Sequence, residues 1–403
     1  MIMYGAEVVV AGAGIGGTAA ALLLARAGAQ VTLLERGRSD AELGAGLLLH
    51  PNGLAVLAGL GLESAVTAAG HVLTGSAVRD RRGRVLLDLP VPDVGSDLGH
   101  LVAIRRSALH RILREAVTAE RGVAVQFEAD VVDADVDGGV ARRFGGDTSW
   151  RSADLVVGAD GVHSVVRAAG DFGPTFAATG ERYLRVLVPR RPDAVLEGEY
   201  WTPLGILGGA PVDRRTQYVY ASATAAPVTR ALEDGDLDAL AQLWGSALPL
   251  AGRLLSAVER FDDVIVSEVV RIECRRWHDG RLVLLGDAAH AMAPTLGQGA
   301  NSALVDAAVL ALELSAGGPL LDALERYQRR RRPPVLQVQK RADGTARLAS
   351  IRSGLPRVAT HLALRAVNRW PGAAAKAVRD LQQEDPVRLA EAVRAVARIA
   401  ARS

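Results

Sequence analysis

An α/β fold is predicted, and three observations predict it. Residues 7–11 form a short apolar run that ends at the glycine loop Gly12-Ala13-Gly14-Ile15-Gly16-Gly17, after which 15–27 has helical period and 30–35 reads as a second strand. Between about 180 and 276 apolar and polar residues alternate, separated by Pro- and Gly-containing turns, the pattern of a mostly antiparallel sheet. At 281–285 the chain returns to a fully apolar strand. The first domain is therefore Rossmann-like and discontinuous, with an inserted β-sheet domain and C-terminal helices.

The elements follow in order. Strand, helix and strand up to Glu35 make a β-α-β unit in which Gly28 stops the helix. The segment AELGAGLLLHPNGLAVLAGLGL (41–62) gives a strand-like approach, a break at Pro51-Asn52-Gly53 and a short helix ending at Gly59 or Gly61. Residues 72–89 alternate as strands around a turn at Arg82-Gly83, and 107–121 has helical spacing through Leu109, Ile112, Leu113 and Ala116. Two or three strands occupy 123–144, and 153–157 is a buried strand leading into another glycine turn. Within the alternating region 217–222 and 263–274 are the clearest strands, and 232–255 is helical. A long helix runs from about 299 to 314, and from Leu320 the chain is helical in period, broken by Pro333-Pro334, Pro356, Pro371 and Pro386. The Rossmann-like domain thus takes 1–75, 101–176 and 277–332; the sheet domain takes 76–100 and 177–276; and 333–403 are C-terminal helices.

With 403 residues, 49% of them hydrophobic, the chain can bury a large core in two or three domains. Aromatics are only 4%, so a large pocket has few rings to line it. Lysine occurs only at Lys340 and Lys376, an Arg bias that points to a GC-rich bacterial genome. The net charge is +2, yet from Arg326 onward 18 basic residues face 5 acidic ones. A basic tail on an acidic body could attract nucleic acid or a membrane; we read it instead as helices whose Arg side chains face water or pair with the body. The lone Cys274 can build neither an intrachain disulfide nor a metal site, which suits a reducing compartment. The start lacks a basic n-region, and stretches such as AAALLLA from Ala19 are short of a membrane span. A soluble cytoplasmic protein is expected, monomer or homodimer, with no nucleic-acid, membrane or metal partner.

The chemistry begins at GxGxxG. Gly12 allows the tight turn, Gly14 lets the backbone approach a pyrophosphate, Gly17 lets helix and strand pack, and Ile15 and Gly16 open the helix whose N-terminus faces the anion. Glu35, with Arg36 beside it, ends the next strand where a carboxylate can accept from a ribose diol. An ordinary glycine turn is the bland alternative, and the motif alone does not separate FAD from NAD.

Two distant elements decide that point: Gly158-Ala-Asp160-Gly161-Val-His163-Ser164-Val-Val-Arg167, and Gly286-Asp287-Ala-Ala-His290 followed by Pro294-Thr-Leu-Gly297-Gln298-Gly299-Ala300-Asn301. With the glycine loop and Arg106-Ser-Ala-Leu109, these resemble in order and spacing the group A flavin-dependent monooxygenases, the family of p-hydroxybenzoate and salicylate hydroxylases. The resemblance covers about residues 7–333 and implies a GR2-type FAD-binding domain, with the 41–62 segment similar to the salicylate-hydroxylase-like branch.

It also implies roles. Asp287 would bind the ribityl hydroxyls, a helix cap being the alternative. Pro294, Gly297, Gln298, Gly299 and Ala300 would bring free helix N–H groups to the N1–C2=O edge of the isoalloxazine, with Asn301 fixing the loop. Arg106 would meet the FAD ribose or pyrophosphate, with Arg105 as competitor. The Asp160-Gly161 segment would serve FAD and the transient nicotinamide, closed by Arg167; His163 has no assigned role, and His290 is read as structural. NADPH or NADH would reduce FAD, O2 would add at the flavin C4a, and the distal oxygen of the hydroperoxide would pass to an aromatic or other electron-rich small molecule in a dry cavity. For a phenol, Tyr218, Tyr220 or His50 could take the proton, against a core or sheet-face role for each; Tyr200 and Trp201 are further pocket candidates. Epoxidation of an alkene in a polyketide or terpenoid, and a non-oxygenating flavin protein, are the alternatives. A halogenase is set aside, because no W-x-W-x-I-P segment or lysine lies in the FAD or sheet region.

Overall fold

Val8, Val9 and Val10 are apolar in succession because their strand, Glu7–Ala11, is buried on both faces in the middle of a six-stranded sheet. This is a computed structural model, and it describes residues 3–38, 45–91 and 97–399. The strands lie in the order His278–Asp279, Leu282–Leu284, Leu155–Gly158, Glu7–Ala11, Gln30–Glu35, Val123–Phe127. All neighbours are parallel except the first pair. Helix Ile15–Arg26 is buried over almost its whole circumference, packed against Gly299–Ser315 and Arg106–Ala119. The glycine loop, the Gly158 turn and the Gly286 turn therefore leave the sheet at the carboxyl ends of its strands, where open α/β sheets bind ligands.

A seven-stranded sheet stands beside it, in the order Ile265–Cys274, Pro174–Pro189, Thr216–Ser222, Gly205–Pro211, Gly198–Thr202, Gly75–Asp80, Val85–Pro90. It is antiparallel but for one parallel contact, Gly198–Thr202 with Gly75–Asp80. Side chains alternate across it. Leu184, Val186, Leu207, Val219 and Ala221 pack with Val228, Leu240, Trp244 and Leu254 of three helices that cover the outer face. The intervening residues point the other way, into a cavity.

Several expectations need correction. Pro333 and Pro334 do not break the chain: helix Leu320–Ala349 runs through them. Interior prolines cost roughly 3 kcal/mol or more, but fixed tertiary bonds flank these two. Arg331 is buried against Asp306, and Gln339 Nε2 donates to the carbonyls of Ile272 (2.7 Å) and Ala291 (3.0 Å). Pro356 likewise falls inside a helix, Gly354–Asn368, in its first turn where no N–H is needed, while Pro371 and Pro386 start helices. The hairpin strand Asp147–Ser152 was not foreseen, because it is polar and exposed and carries no burial signal. The strand Pro174–Pro189 starts before the expected boundary. Residues 41–44, read as the start of a strand approach, lie outside the described residues.

The basic tail is paired with the body. Arg326 and Arg330 meet Glu313, Arg332 meets Glu273, Arg365 meets Asp80, and Arg330 and Arg341 meet Glu384 and Asp380 within the tail itself. Among the described residues no helix is long and apolar enough to cross a membrane, and no cluster of metal-ligating side chains is present.

Candidate active site

The glycine loop shows which of its residues the fold requires and which it leaves open. A Cβ on Gly12, whose φ is +95°, would lie 2.6 Å from the Ala159 carbonyl oxygen, and one on Gly17 would lie 1.9 Å from the Gly12 carbonyl oxygen. Gly14 has φ −65° and nothing within 4 Å of the equivalent position. Gly14, Ile15, Gly16 and Gly17 line a cavity of about 1480 Å³. Glu35 lies outside that wall: its carboxylate accepts from Ala13 N–H at 2.8 Å and Gly37 N–H at 2.7 Å, holding the loop's shape. Arg36 is exposed and also outside it.

Opposite the loop, strand Leu282–Leu284 ends at Gly286 (φ +59°), which turns Asp287 into the cavity, where its carboxylate meets no described hydrogen-bond donor. The turn rests on a buried ionic cluster. Asp306 accepts from His290 Nε2 (2.5 Å), Arg331 Nε (2.7 Å) and the Gly286 N–H (3.0 Å). Burial raises the Asp306 pKa, but the charges of His290 and Arg331 win and hold it at about 2. His290 is therefore structural, stacked on Trp277 at 4.9 Å. Arg167 is buried and donates to the carbonyls of Ala288 (2.8 Å) and Val162 (2.7 Å), clamping the two distant motifs together. Asp160 caps the following turn by accepting from Val165 N–H (2.7 Å) and Val166 N–H (3.2 Å), and it is Ala159, Gly161, Val162 and His163 that reach the cavity.

A short 3-10 turn, Pro294–Leu296, leads through left-handed Gly297 (φ +62°) into helix Gly299–Ser315. Pro294, Gly297, Gly299 and Ala300 line the cavity, at a helix end whose first N–H groups have no helical acceptor. Asn301 is fully buried: it accepts from His50 N–H (2.9 Å) and donates to the carbonyls of Leu48 (3.0 Å) and Gly297 (2.8 Å). Gln298 is buried too, accepting from Asn52 Nδ2 and Gln383 Nε2, both at 3.1 Å. His50 is buried at the cavity wall with neither ring nitrogen hydrogen-bonded, and burial lowers its pKa to about 4.

Arg106 opens into the cavity, and its guanidinium makes no hydrogen bond or ion pair with a described residue. Enclosure by protein lowers its pKa, Asp287 opposes, and Arg185 adds to the lowering. Arg105 turns away, paired with Asp213 at 2.7 Å and with Thr216. Of the two arginines only Arg106 can meet a ligand here.

On the sheet side, Tyr218, Tyr220, Trp201, Tyr183 and Arg185 line the cavity, whereas Tyr200 is one residue out of phase and packs on the outer face. Burial raises the Tyr218 and Tyr220 pKa values, so both remain phenols at neutral pH. Sequence reasoning missed Asp306, Arg331, Arg185 and Glu199. Asp306 did carry a signal, a lone charge within the otherwise apolar run SALVDAAVLAL. The others left none, because strand alternation shows a face but not what that face surrounds.

These residues fit a dinucleotide that carries a flavin: a glycine cradle, an unpaired cation for phosphate, an open carboxylate for hydroxyls and a helix N-terminus, along one crevice. Fold and site thus define a nucleotide-dependent flavoenzyme. The chain belongs to the FAD binding domain family, whose model matches residues 5–342. It is 32% identical over 339 residues to aurachin C monooxygenase/isomerase of Stigmatella aurantiaca, covering 80% of this chain and 84% of that protein. It is 31% identical over 347 residues to 2-heptyl-3-hydroxy-4(1H)-quinolone synthase of Pseudomonas aeruginosa, covering 85% and 89%. Among solved structures, the tetrameric form of 2-methyl-3-hydroxypyridine-5-carboxylic acid oxygenase superposes with a TM-score of 0.76 at 26% identity, covering 95% of this chain and 98% of the other. The protein is an FAD-dependent monooxygenase of the hydroxylase type, with NAD(P)H as reductant and O2 and a small molecule as substrates.

Proposed function

We propose that this chain hydroxylates an electron-rich aromatic ring, a phenol or a nitrogen heteroaromatic, held between the FAD crevice and the inner face of the seven-stranded sheet. One observation carries the reading: a single cavity joins Gly14 and Asp287 to Tyr218 and Tyr220. The relatives support the ring class, since one is named for a 4(1H)-quinolone and another for a hydroxypyridine. The apolar wall suits a bulky alkene as well, but no residue in it favours epoxidation.

Bound FAD would accept two electrons from NAD(P)H and pass them to O2, so that one oxygen atom is transferred to the substrate and the other leaves as water. The chain does the rest. Gly14, Ile15, Gly16 and Gly17 bring backbone N–H groups to the diphosphate, with Gly12 setting the turn and Glu35 and Arg36 at the adenosine end. Arg106 supplies the counter-charge, and Asp287 accepts from the ribityl hydroxyls. Gly299 and Ala300 present the helix dipole and free N–H groups to the ring edge, with Pro294 and Gly297 shaping the turn that leads there and Gln298 and Asn301 positioning it; Asp160 shapes the neighbouring turn. His50, neutral at pH 7, offers a lone pair or an N–H beside Gly297. Tyr218 donates its O–H to the substrate rather than taking a proton. Leu48, Leu101, Ile206 and Leu296 exclude water from the reacting ring.

Division into a nucleotide domain and a sheet domain, a cytoplasmic location and a monomeric or homodimeric state belong to the same proposal. Purified protein should carry FAD, and NAD(P)H oxidation and oxygen uptake should rise with one member of a panel of phenols, aromatic acids, aza-arenes and alkenes. An alkene as the sole stimulating class would refute hydroxylation. Failure to take up added FAD would refute the site.

A further inference from the structure

On the inner face of the seven-stranded sheet, cross-strand pairing sets one row of residues: Val78, Glu199, Gly208, Tyr220, Arg185 and Ile265. Gly208 is the reason Tyr220 can lie down in that row. A Cβ there would come within 2.4 Å of the Tyr220 ring, so the ring crosses the glycine and its O–H reaches Glu199 Oε2 at 2.9 Å. From the neighbouring row Trp201 Nε1–H donates to Glu199 Oε1 at 2.5 Å. Glu199 is 8% exposed, lines the cavity, and no basic side chain pairs with it among the described residues.

A buried carboxylate without a cation is costly unless something satisfies it. Here two neutral donors take one lone pair on each oxygen, and an ionised carboxylate has about four acceptor sites, so acceptor capacity remains toward the cavity. Val78, Leu87, Leu89 and Ile206 make up the nearby wall, and the polar neighbour Tyr183 turns its O–H to Glu181 instead. Burial raises the Glu199 pKa, and the bonds from Trp201 and Tyr220 oppose it. The basic group of the row, Arg185, lies three strands away, roughly 14 Å at the backbone, and bonds to Ser267 on the far side. With Arg106 and Asp287 committed to the cofactor, the sheet side of the cavity is polarised: an acceptor at Glu199, and donors at Arg185 and Tyr218. A substrate oxygen finds its partners at the second end, which leaves the first for a donor.

We propose that Glu199, oriented by Trp201 and Tyr220, is the substrate-specificity residue and accepts a hydrogen bond from a ring or aryl N–H, so that the substrate is an aza-arene or arylamine carrying an oxygen at its opposite end. This rests on the hydroxylase reading and narrows its substrate class. Accepting from N–H also pushes electron density into the ring, which favours attack on an electrophilic oxygen.

The test uses pairs of probes in which methylation removes the donor: 4(1H)-quinolone and its N-methyl derivative, 2-aminobenzoate and its N,N-dimethyl derivative, and 1-naphthol and 1-methoxynaphthalene as an O–H control. Binding is read by quenching of tryptophan fluorescence, for which Trp201 is the reporter in contact with Glu199, in the presence and absence of FAD. The wild-type protein should bind the N–H member of at least one nitrogen pair about ten- to a hundredfold more tightly, the range of a hydrogen bond to a charged group. Glu199→Gln should shrink that ratio to about threefold or less with FAD content unchanged. Preference for N–H in neither nitrogen pair, discrimination confined to the naphthol pair, or an undiminished ratio in the variant would each overturn the proposal. If Glu199→Gln does not fold, the wild-type ratios decide alone. Absence of FAD uptake or of oxygen consumption would instead strike the hydroxylase reading, which the fluorescence ratios do not depend on.

Discussion

Asp306→Ala is the substitution whose consequence the structure fixes most closely. Asp306 and Arg331 are 0% exposed and His290 is 1%, so none can turn to water when a partner is lost. Removing the carboxylate strands the Arg331 guanidinium, about 3–5 kcal/mol for a broken buried pair, and the Gly286 N–H, about 1–3 kcal/mol for an unsatisfied buried group. The two share one site and do not add fully, so a loss of about 4 kcal/mol is expected. Asp306→Asn keeps shape and one acceptor and should lose about half as much. The pKa adds a sign. Lowered from 3.8 to about 2, it makes this stabilisation complete above the unfolded value, and acid removes it as pH falls through about 2. Urea denaturation at pH 7 of apoprotein measures the loss, and retained FAD after ultrafiltration measures the effect on the Gly286–Asp287 turn. A loss below about 1 kcal/mol, with FAD bound as in wild type, would refute the assignment of this cluster as the support of that turn.

Gly14→Ala and Gly17→Ala should separate cofactor from fold. The first meets no protein atom within 4 Å and should keep wild-type stability while FAD affinity falls at least about tenfold, one backbone hydrogen bond to a charged group. The second collides with the Gly12 carbonyl oxygen and should lower the thermal midpoint or abolish soluble expression; equal behaviour of the two would count against the cradle. Asp287→Ala should lose most bound FAD with little change in apoprotein stability, read by flavin absorbance per chain, and unchanged content would show that the ribityl site lies elsewhere. His50 is neutral in the folded protein because burial lowers its pKa from 6.5 to about 4. As pH falls through that window the unfolded chain takes up a proton that the folded chain refuses, so stability is lost by up to about 3 kcal/mol. His50→Gln should flatten the urea midpoint between pH 7.5 and 4.5, and parallel curves would contradict a buried neutral imidazole.

The nucleotide half was legible because its physics is local. A strand that must be buried on both faces, two glycines with no room for a Cβ, and a glycine-turned aspartate write themselves into short stretches of sequence. The sheet half was legible as alternation but not as content. Period 2 told that 217–222 has two faces; only pairing with Gly208 and Glu199 told that Tyr220 lies across one of them. Tyr200 was misplaced for the same reason, since adjacent Trp201 takes the cavity face. The paired prolines misled because helix propensity is weak against the tertiary bonds of Arg331 and Gln339.

Helix Leu320–Ala349 has one more consequence. Thirty residues long, it extends about 45 Å, and its two ends serve different halves of the protein. Toward its start Tyr327 holds the Leu284 carbonyl and Gln328 the Trp277 N–H; toward its end Asp343 pairs with Arg271, and Thr345 and Leu348 face the cavity. The rod is a gauge bar between nucleotide and substrate, and its weakest joint, where two successive N–H groups are missing, lies at mid-length. With Arg331 held by Asp306 on one side of that joint and Gln339 by the Ile272 and Ala291 carbonyls on the other, the bar fixes the span between the base of the Asp287 turn and the cavity wall at Thr345 and Leu348.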